Sequence, residues 1–180
     1  MVSDKTVVFT IGHSTHMLEA FIELLRINEV TVVADVRSVP RSRRNPQFNS
    51  DTLPAALSSN GIAYVHLAGL GGLRHPRSDS PNTGWLNDTF RGFADYMQTA
   101  EFTDNLQTLI DMARNETAAL MCAEAVPWRC HRSLIADALL IRGLRVEHIL
   151  SKSDIRAHVL TPWAQVSGSV ITYPPQAPPE

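Results

Sequence analysis

Five short apolar runs alternate along the chain with segments in which apolar residues recur every three or four positions. Several of the runs are rich in β-branched residues, which favour strands that are buried on both faces. The runs lie at residues 6–11, 30–36, 62–67, 118–121 and 146–150. The helical spacing predicts helices at residues 18–25, 51–57, 85–97, 102–113 and 127–142. Strands separated by helices indicate the α/β class, as a single three-layer domain with a mainly parallel sheet flanked by helices.

The segment that joins the fourth apolar run to the last helix holds both cysteines, Cys122 and Cys130. Pro127 predicts the first turn of that helix, because the N–H groups of a first turn make no intrahelical hydrogen bond and proline lacks this group. Gly143 predicts the end of the helix. Cys130 then lies in the first helical turn, where the helix N-terminus and neighbouring cations stabilise a thiolate. The alternative interpretation makes Cys130 a small core residue on the same helical face as Leu134.

Parallel strands carry the loops that follow them to one edge of the sheet, so residues that are distant in sequence meet there. The loops of this chain hold reactive and basic side chains. They are His13 and Ser14 after the first strand, Asp35, Arg37 and Arg43 after the second, Gly71 and Gly72 after the third, and Glu124, Cys130, His131 and Arg132 after the fourth. This convergence predicts an active or binding site at the carboxyl edge of the sheet.

Some of these residues are candidates to bind a small anionic ligand. The arginines can clamp a phosphate or a carboxylate against a helix end, and the glycines let backbone N–H groups approach a ligand closely. The spacing of the glycines matches neither the dinucleotide-binding fingerprint nor the phosphate-loop signature. The candidate anion-binding residues are Arg37, Arg43, Arg132, Ser14, Gly71 and Gly72.

The candidate catalytic residues are Cys130, His131, Glu124, His13 and Asp35. Cys130 or His131 supplies nucleophilic or acid–base chemistry in this hypothesis, assisted by Glu124 or Asp35. His13 is either a general acid or base or a hydrogen-bonding partner of a loop, and Asp35 either orients a histidine or forms a structural ion pair. The Cys-x7-Cys-His pattern is not a familiar zinc spacing, so no metal site is assigned, and no motif indicates a cofactor.

The bulk properties narrow the class of protein. The chain has 180 residues and a formal net charge of −2, which fits one domain that does not coat nucleic acid or an anionic membrane. No apolar run approaches the roughly 18 residues of a membrane span, and the N-terminus lacks the pattern of a cleaved signal. We therefore expect a cytoplasmic protein without a membrane partner, whose two cysteines are free thiols, metal ligands or reactive groups. We predict a domain at residues 1–162 and a proline-rich tail at residues 163–180, of which residues 173–180 are extended or disordered.

Several short segments together resemble the DUF488 family of bacterial and archaeal proteins. They are IGHS at 11–14, DVRS at 35–38 with Pro40 and Arg43, LGGLR at 70–74, FRGFADYM at 90–97, and CAE at 122–124 followed by CHRS at 130–133. The resemblance covers nearly the whole chain up to the tail and implies a compact α/β fold in a cytoplasmic setting. It supplies no reaction. It also implies a polar cluster at the matching residues His13, Asp35, Arg37, Glu124, Cys130, His131 and Arg132.

Three functions stay open at this point. The first is an enzyme that acts on an anionic, phosphorylated or nucleotide-like small molecule, although the Cys-x5-Arg loop of tyrosine phosphatases is absent because Arg129 lies one position too far from Cys122. The second is a nucleic-acid-associated factor that binds through the arginines of residues 37–44 and predicts steep salt dependence. The third is a thiol redox or metal-binding protein, in which oxidation or a metal joins Cys122 and Cys130.

Overall fold

The computed structural model describes residues 6–178 and is built around a six-stranded sheet with the order β3-β2-β4-β1-β5-β6. Five strands run parallel to their neighbours, and the short sixth strand, which the sequence analysis did not predict, pairs antiparallel with the fifth. The strands are β1 Val7–Gly12, β2 Val32–Asp35, β3 Ala63–His66, β4 Ala118–Cys122, β5 Arg145–Ile149 and β6 Ile155–Ala157. The predicted α/β class with a mainly parallel sheet is confirmed.

Helices cover both faces of this sheet and complete the three layers. They are α1 Leu18–Ile27, α2 Leu53–Ser58, α3 Asp88–Tyr96, α4 Ala100–Asn115 and α5 Arg132–Leu140. The core on one face is formed with α1 and α2, and the core on the other face with α3, α4 and α5. Among residues 6–178, no helix combines the length and the apolar character needed to cross a membrane.

The central strand β4 shows why the apolar runs are continuous rather than alternating. Ala118, Leu120 and Cys122 contribute to one core, while Ala119 and Met121 contribute to the other. Successive side chains of a strand point to opposite faces, so a strand covered on both faces must be apolar throughout. All five residues of β4 are buried.

The parallel strands end in register at one edge of the sheet. Gly12 pairs with Cys122, and the pairing continues past the strand ends because the His13 N–H donates to the Cys122 carbonyl at 2.9 Å. A Cβ atom on Gly12 would lie 1.7 Å from the Glu124 carbonyl oxygen, so only glycine lets the loop after β4 cross the end of β1. The loops after the first four strands therefore converge as the topology predicts.

The predicted start of the last helix is wrong. Pro127 begins a separate 3-10 turn, Pro127–Arg129, which the Cys130 N–H closes by donating to the Pro127 carbonyl at 3.0 Å. Cys130 itself is extended, with φ −139° and ψ 151°, and α5 begins at Arg132. Cys130 therefore precedes the helix instead of lying in its first turn, although it still faces the helix N-terminus.

The segment after residue 162, which the sequence predicts to be a tail, is packed against the domain as far as Tyr173. Two short strands, β7 Gln165–Ser167 and β8 Val170–Thr172, form a hairpin. Ile171 and Tyr173 are buried in the core, and two isolated apolar residues are too few to give a periodic pattern. The boundary at residue 162 stays a prediction, and residues 1–5 and 179–180 lie outside the described part of the chain.

Candidate functional site

A cleft of about 390 Å³ opens at the carboxyl edge of the sheet, next to the ends of β2 and β4. Its walls come from the three loops after β2, β3 and β4 and from the start of α3. We call it the cysteine cleft, because both thiols of the chain border it. Its lining residues are Arg37, Ser38, Val39, Gly72, Leu73, Thr89, Phe90, Cys122, Ala123, Glu124, Arg129, Cys130 and His131.

Cys130 is surrounded by three groups that hydrogen-bond its sulfur. The Cys122 Sγ lies 2.8 Å from the Cys130 Sγ, and the Arg132 backbone N–H donates to the same sulfur at 3.5 Å. The His131 Nδ1 lies 3.4 Å away from it. Both thiols are largely buried, with 3% of Cys122 and 6% of Cys130 exposed, so Cys130 is at once a core residue and part of the cleft wall.

The two thiols have opposite acidities. The hydrogen bond from Cys122 lowers the pKa of Cys130 despite its burial, and the neighbouring His131 and Arg132 lower it further. Burial raises the pKa of Cys122, and the hydrogen bond and negative charge of Cys130 add to that effect. The opposite directions of the two pKa shifts make Cys130 the thiol of the pair that loses its proton first.

His131 is held in one orientation by its second nitrogen. Its Nε2–H donates to the Val36 carbonyl at 3.0 Å, which leaves Nδ1 facing the Cys130 sulfur. A Cβ atom on Gly72 would lie 2.6 Å from this Nδ1, so the glycine provides room for the ring. Gly71 has a comparable role, because its Cβ would lie 2.4 Å from the Ser38 hydroxyl oxygen. The structure thus gives both glycines a steric role, and their predicted backbone contact with a ligand stays a prediction.

Arg37 is nearly saturated by the protein itself. Its Nε and Nη2 donate to the two carboxylate oxygens of Asp35 at 2.9 and 2.7 Å, and Nη2 also donates to the Phe48 carbonyl. Nη1 donates to His13 Nε2 at 3.2 Å. A guanidinium has five N–H donors, so a single Nη1–H remains for a ligand in the cleft.

His13 lies behind Arg37 rather than in the cysteine cleft. Its ring is 2% exposed and stacks on Phe48, and its Nδ1–H donates to the Ser14 carbonyl at 2.9 Å. Burial lowers the pKa of His13, and the adjacent Arg37 charge lowers it too. The neutral ring is therefore a hydrogen-bond acceptor for Arg37. Asp35 likewise is fully buried and accepts from Arg37 and from the Tyr64 hydroxyl, which corresponds to the structural ion pair considered above.

Arg132 does not reach the cleft. Its side chain is fully buried, with Nη1 donating to the Thr10 hydroxyl at 3.1 Å and Nη2 donating to the Glu124 carbonyl at 2.6 Å. It lies behind the thiols, where its positive charge lowers the pKa of Cys130. The predicted clamp on an external anion is therefore not what this side chain forms in the structure.

A second cavity of about 300 Å³ adjoins the cysteine cleft, and we call it the side pocket. It shares four residues with the cleft, including Arg37 and Glu124, and Ser14 lines it. The Glu124 side chain is exposed and borders both cavities. Arg43 is exposed and lines neither cavity, so the structure does not bring it to the candidate site.

The chain was compared with known protein families, curated proteins and solved structures. A family model described as a domain of unknown function, DUF488, matches residues 17–139, which is more than half of the chain. The chain belongs to the DUF488 family. The DUF488 match extends from just before α1 to the end of α5 and therefore includes the loops that form the cysteine cleft. No match was found among curated proteins or among solved structures.

Two groups at this DUF488 site were not among the candidate site residues. Arg129 is exposed on the cleft wall, and Cys122 contacts the candidate nucleophile directly. The Cys-His-Arg run drew attention to the residues after Arg129, while the position of Cys122 in an apolar strand favoured an inert core residue. Within residues 6–178, no group of three or more histidine, cysteine, aspartate or glutamate side chains is arranged to hold a metal ion.

Proposed function

We propose that this DUF488 protein is an enzyme that binds a small anionic molecule in the cysteine cleft and attacks it with the Cys130 thiolate. The observation that carries the proposal is the contact between the Cys130 Sγ and the His131 Nδ1, at 3.4 Å, on the wall of that cleft. A cysteine nucleophile needs a stabilised thiolate and access to its substrate, and an adjacent histidine is its usual base.

His131 is suited to move the proton of the reaction. Because its Nε2–H is committed to the Val36 carbonyl, Nδ1 is the nitrogen that takes a proton from Cys130. The resulting imidazolium stabilises the thiolate, and it returns the proton to the leaving group when the bond to the substrate breaks. Glu124, at the mouth of the cleft, is a second group that can exchange protons with a bound substrate.

The anion is bound in this proposal by Arg129 and by the remaining Nη1–H of Arg37. Arg129 is exposed and lines the cleft beside Cys130, while Arg37 is fixed in place by Asp35 and His13. A fixed guanidinium binds an anion without losing side-chain freedom, which favours a defined orientation of the substrate. Free thiols persist in reducing compartments, so we place the enzyme in the cytoplasm.

The pH dependence of iodoacetamide alkylation at each cysteine, measured by peptide mass spectrometry on the folded chain, tests this proposal. The folded-state pKa of Cys130 is lowered, so its thiolate persists as the pH falls below ~8.5 and its alkylation rate stays constant there. Cys122 stays unmodified. An ordinary thiol instead loses about tenfold in rate per pH unit below its pKa, and that profile, or reaction of Cys130 only after unfolding, contradicts the proposal.

Inorganic phosphate serves as the anion in the same experiment. We expect phosphate to slow alkylation of Cys130, and the Arg129→Ala variant to lose this protection because its cleft has lost an exposed cation. The matched control is Arg114→Ala, which removes an exposed arginine that pairs with Asp111 in the last turn of α4, just before β4 begins and thus at the edge of the sheet opposite the cleft. Protection that is the same in all three proteins, or absent from the wild type, argues against an anion site at Arg129.

A further inference from the structure

The proposed attack by Cys130 gives no task to Cys122, although Cys122 is the nearest group to the attacking sulfur. The two Sγ atoms are 2.8 Å apart, and Cys122 is the more buried of the two residues, at the end of the buried strand β4. A thiol held against the nucleophile itself is placed to react at the Cys130 sulfur.

We infer that Cys122 is the resolving thiol of a two-cysteine centre, and that the substrate of the cysteine cleft is a small anionic molecule with a sulfur–sulfur bond. This inference rests on the proposed function, because it needs Cys130 to be the attacking group. The class of substrate follows from where Cys122 can attack. In a mixed disulfide the Cys130 sulfur is electrophilic, whereas in an acyl or phosphoryl adduct the electrophile is the carbon or phosphorus atom beyond it.

The reaction balances in two steps. First the Cys130 thiolate attacks one sulfur of R–S–S–R and forms Cys130–S–S–R, and the released R–S⁻ takes the proton that His131 Nδ1 received from Cys130. Then Cys122 loses its proton to His131 Nδ1, its sulfur attacks the Cys130 sulfur, and the second R–S⁻ leaves and takes that proton as R–SH. The substrate gains two electrons and the protein becomes a Cys122–Cys130 disulfide. A dithiol reductant, such as dithiothreitol, restores the starting thiols.

The first step changes the charges around Cys122 in the direction that favours loss of its proton, which the second step requires. Before the first step, the Cys130 thiolate keeps the proton on Cys122. The mixed disulfide carries no charge on Cys130, so that effect disappears, while the buried Arg132 guanidinium beside both sulfurs remains. Arg132 then lowers the pKa of Cys122 against the burial that raises it, so the resolving thiol is more acidic after the substrate has reacted than before.

The cleft also separates this substrate class from a peroxide. Sulfenic acid, the product of peroxide attack, has an electrophilic sulfur as well, and Cys122 resolves it by the same geometry. A peroxide, however, needs neither a cavity of about 390 Å³ nor apolar walls formed by Val39, Leu73 and Phe90. A small organic disulfide uses both, with its anionic group directed to Arg129.

The test uses the dianionic aromatic disulfide 5,5′-dithiobis(2-nitrobenzoate) and the full chain in its native state. We expect the wild type to release two thionitrobenzoate ions per chain and to retain none, with a Cys122–Cys130 disulfide found by mass spectrometry. Cys122→Ser should release one ion and keep the second as a mixed disulfide on Cys130. Cys122→Ala serves if the serine variant does not fold. Cys130→Ser should release neither two ions per chain nor one.

Three outcomes overturn parts of the idea separately. A wild type that stops at one released ion, with the adduct still on Cys130, removes the resolving role of Cys122 and leaves the nucleophile intact. A wild type whose Cys130 does not react removes the proposed function and the inference together. Formation of the Cys122–Cys130 disulfide is also measured with hydrogen peroxide at the same concentration as the aromatic disulfide. If hydrogen peroxide forms it faster, the substrate is not a molecule with a sulfur–sulfur bond.

The uncharged reagent 4,4′-dithiodipyridine tests the anionic character of the substrate. We expect Arg129→Ala to slow the reaction with the dianionic disulfide and to leave the rate with the uncharged reagent unchanged, because only the former is attracted to the guanidinium. An equal loss with both reagents shows that Arg129 shapes the cleft sterically and contradicts its role as an anion-binding residue.

Discussion

Single residues around Cys130 decide whether its sulfur is a thiolate, because they oppose a strong desolvation penalty. Burial in a low-dielectric core disfavours the charged form. The Cys122 S–H, the His131 ring and the Arg132 N–H favour it, and together they lower the pKa of Cys130. A substitution at any of these contacts should therefore alter the pH dependence of Cys130 alkylation even when it leaves the fold unchanged.

Gly72→Ala is a sharp test of the contact with His131. The new Cβ atom would lie 2.6 Å from His131 Nδ1, so the ring must move away from Cys130. A contact to a charged group is worth about 1.5 kcal/mol, so in the acidic range, where the rate follows the thiolate fraction, we expect alkylation of Cys130 to slow about tenfold. The measurement is the iodoacetamide rate of Cys130 as a function of pH.

Gly69→Ala is the matched control in the same loop. The nearest atoms to its new Cβ atom are those of the Asn105 amide, at the end of a partly exposed side chain that can rotate away by giving up its hydrogen bond to the Glu101 carbonyl. We expect the wild-type pH profile from this variant. If both alanine variants, or neither, alter the profile of Cys130, the position of the His131 ring does not control the thiolate.

The sequence predicts the contacts within the site only where the residues in contact are also neighbours in sequence. The contact of Cys130 with His131 follows from adjacent residues, and so does the part of its lowered pKa that His131 and Arg132 contribute. The contact with Cys122 depends instead on how the chain folds back between β4 and the 3-10 turn, and no periodic pattern reports that path. Burial of Arg132 was missed because arginine usually lies at the surface, and its partner Thr10 is 122 positions away.

At the scale of the elements, the loop after β2 is anchored to the sheet by one ion pair. Asp35, at the last position of β2, receives two N–H groups from the Arg37 side chain and one from its backbone, and both side chains are almost fully buried. Arg37 in turn holds the Phe48 carbonyl and so fixes the path of the chain from β2 to the turn before α2. This wall of the cleft therefore depends on a buried charge pair.

Asp35→Asn tests that dependence. The substitution removes one partner of a buried pair and leaves the Arg37 charge without a counterion, which costs about 3 kcal/mol in the free energy of unfolding. Urea denaturation at pH 7 measures the loss. Asp79→Asn is the control, because it breaks a bidentate pair with Arg77 that is fully exposed, and we expect no measurable change. Equal stability of the two variants would mean that the Arg37 pair contributes no more than a surface pair.

The elements themselves were predictable where one physical signal dominates. Buried strands such as β1, β2 and β4 appear as apolar runs because the sheet is covered on both faces. The start of α5 was not predictable, because Pro127 is as compatible with the 3-10 turn that forms there as with the first turn of an α-helix. The short edge strand β6 is exposed at all three residues and has no apolar pattern to find.

At the scale of the whole molecule, a directed chain of hydrogen bonds crosses the interior behind the site. Arg132 donates to the Thr10 hydroxyl, which donates to His148 Nδ1 at 2.7 Å. His148 Nε2 lies 3.0 Å from His158 Nδ1, and His158 Nε2 lies 2.7 Å from the Asp137 carboxylate. The chain joins α5 to β1, to β5 and to the segment after β6, so the support of the thiol pair is distributed over the fold.

The tail completes this network from the other side. The Thr161 hydroxyl and the Tyr173 hydroxyl both donate to the second oxygen of Asp137, at 2.7 and 2.8 Å. Asp137 is thereby fully satisfied although it is 0% exposed. Because the two histidines between Arg132 and Asp137 each use both ring nitrogens, an added proton on His148 must break a hydrogen bond.

The pH dependence of stability is therefore set in part by His148. Burial lowers its pKa to about 3, and the charges of His158 and Arg132 contribute, whereas an unfolded histidine titrates near 6.5. Between these two values the unfolded chain binds a proton that the folded chain does not, so stability falls as the pH drops below about 6.5. One such proton changes the free energy of unfolding by up to about 1.4 kcal/mol per pH unit.

Urea denaturation at pH 6 and pH 5 measures this dependence. We expect the wild type to lose about 1 kcal/mol over that step from His148 alone, with a further loss from His13, whose pKa is also lowered. His148→Gln removes the first contribution and should flatten the dependence, whereas the same change at the exposed His75 should not. A His148→Gln variant that loses as much stability as the wild type would show that this histidine is protonated in the folded chain. The buried chain of hydrogen bonds would then hold Arg132 through a charged ring, and the positive charge behind the two thiols would be larger than Arg132 alone provides.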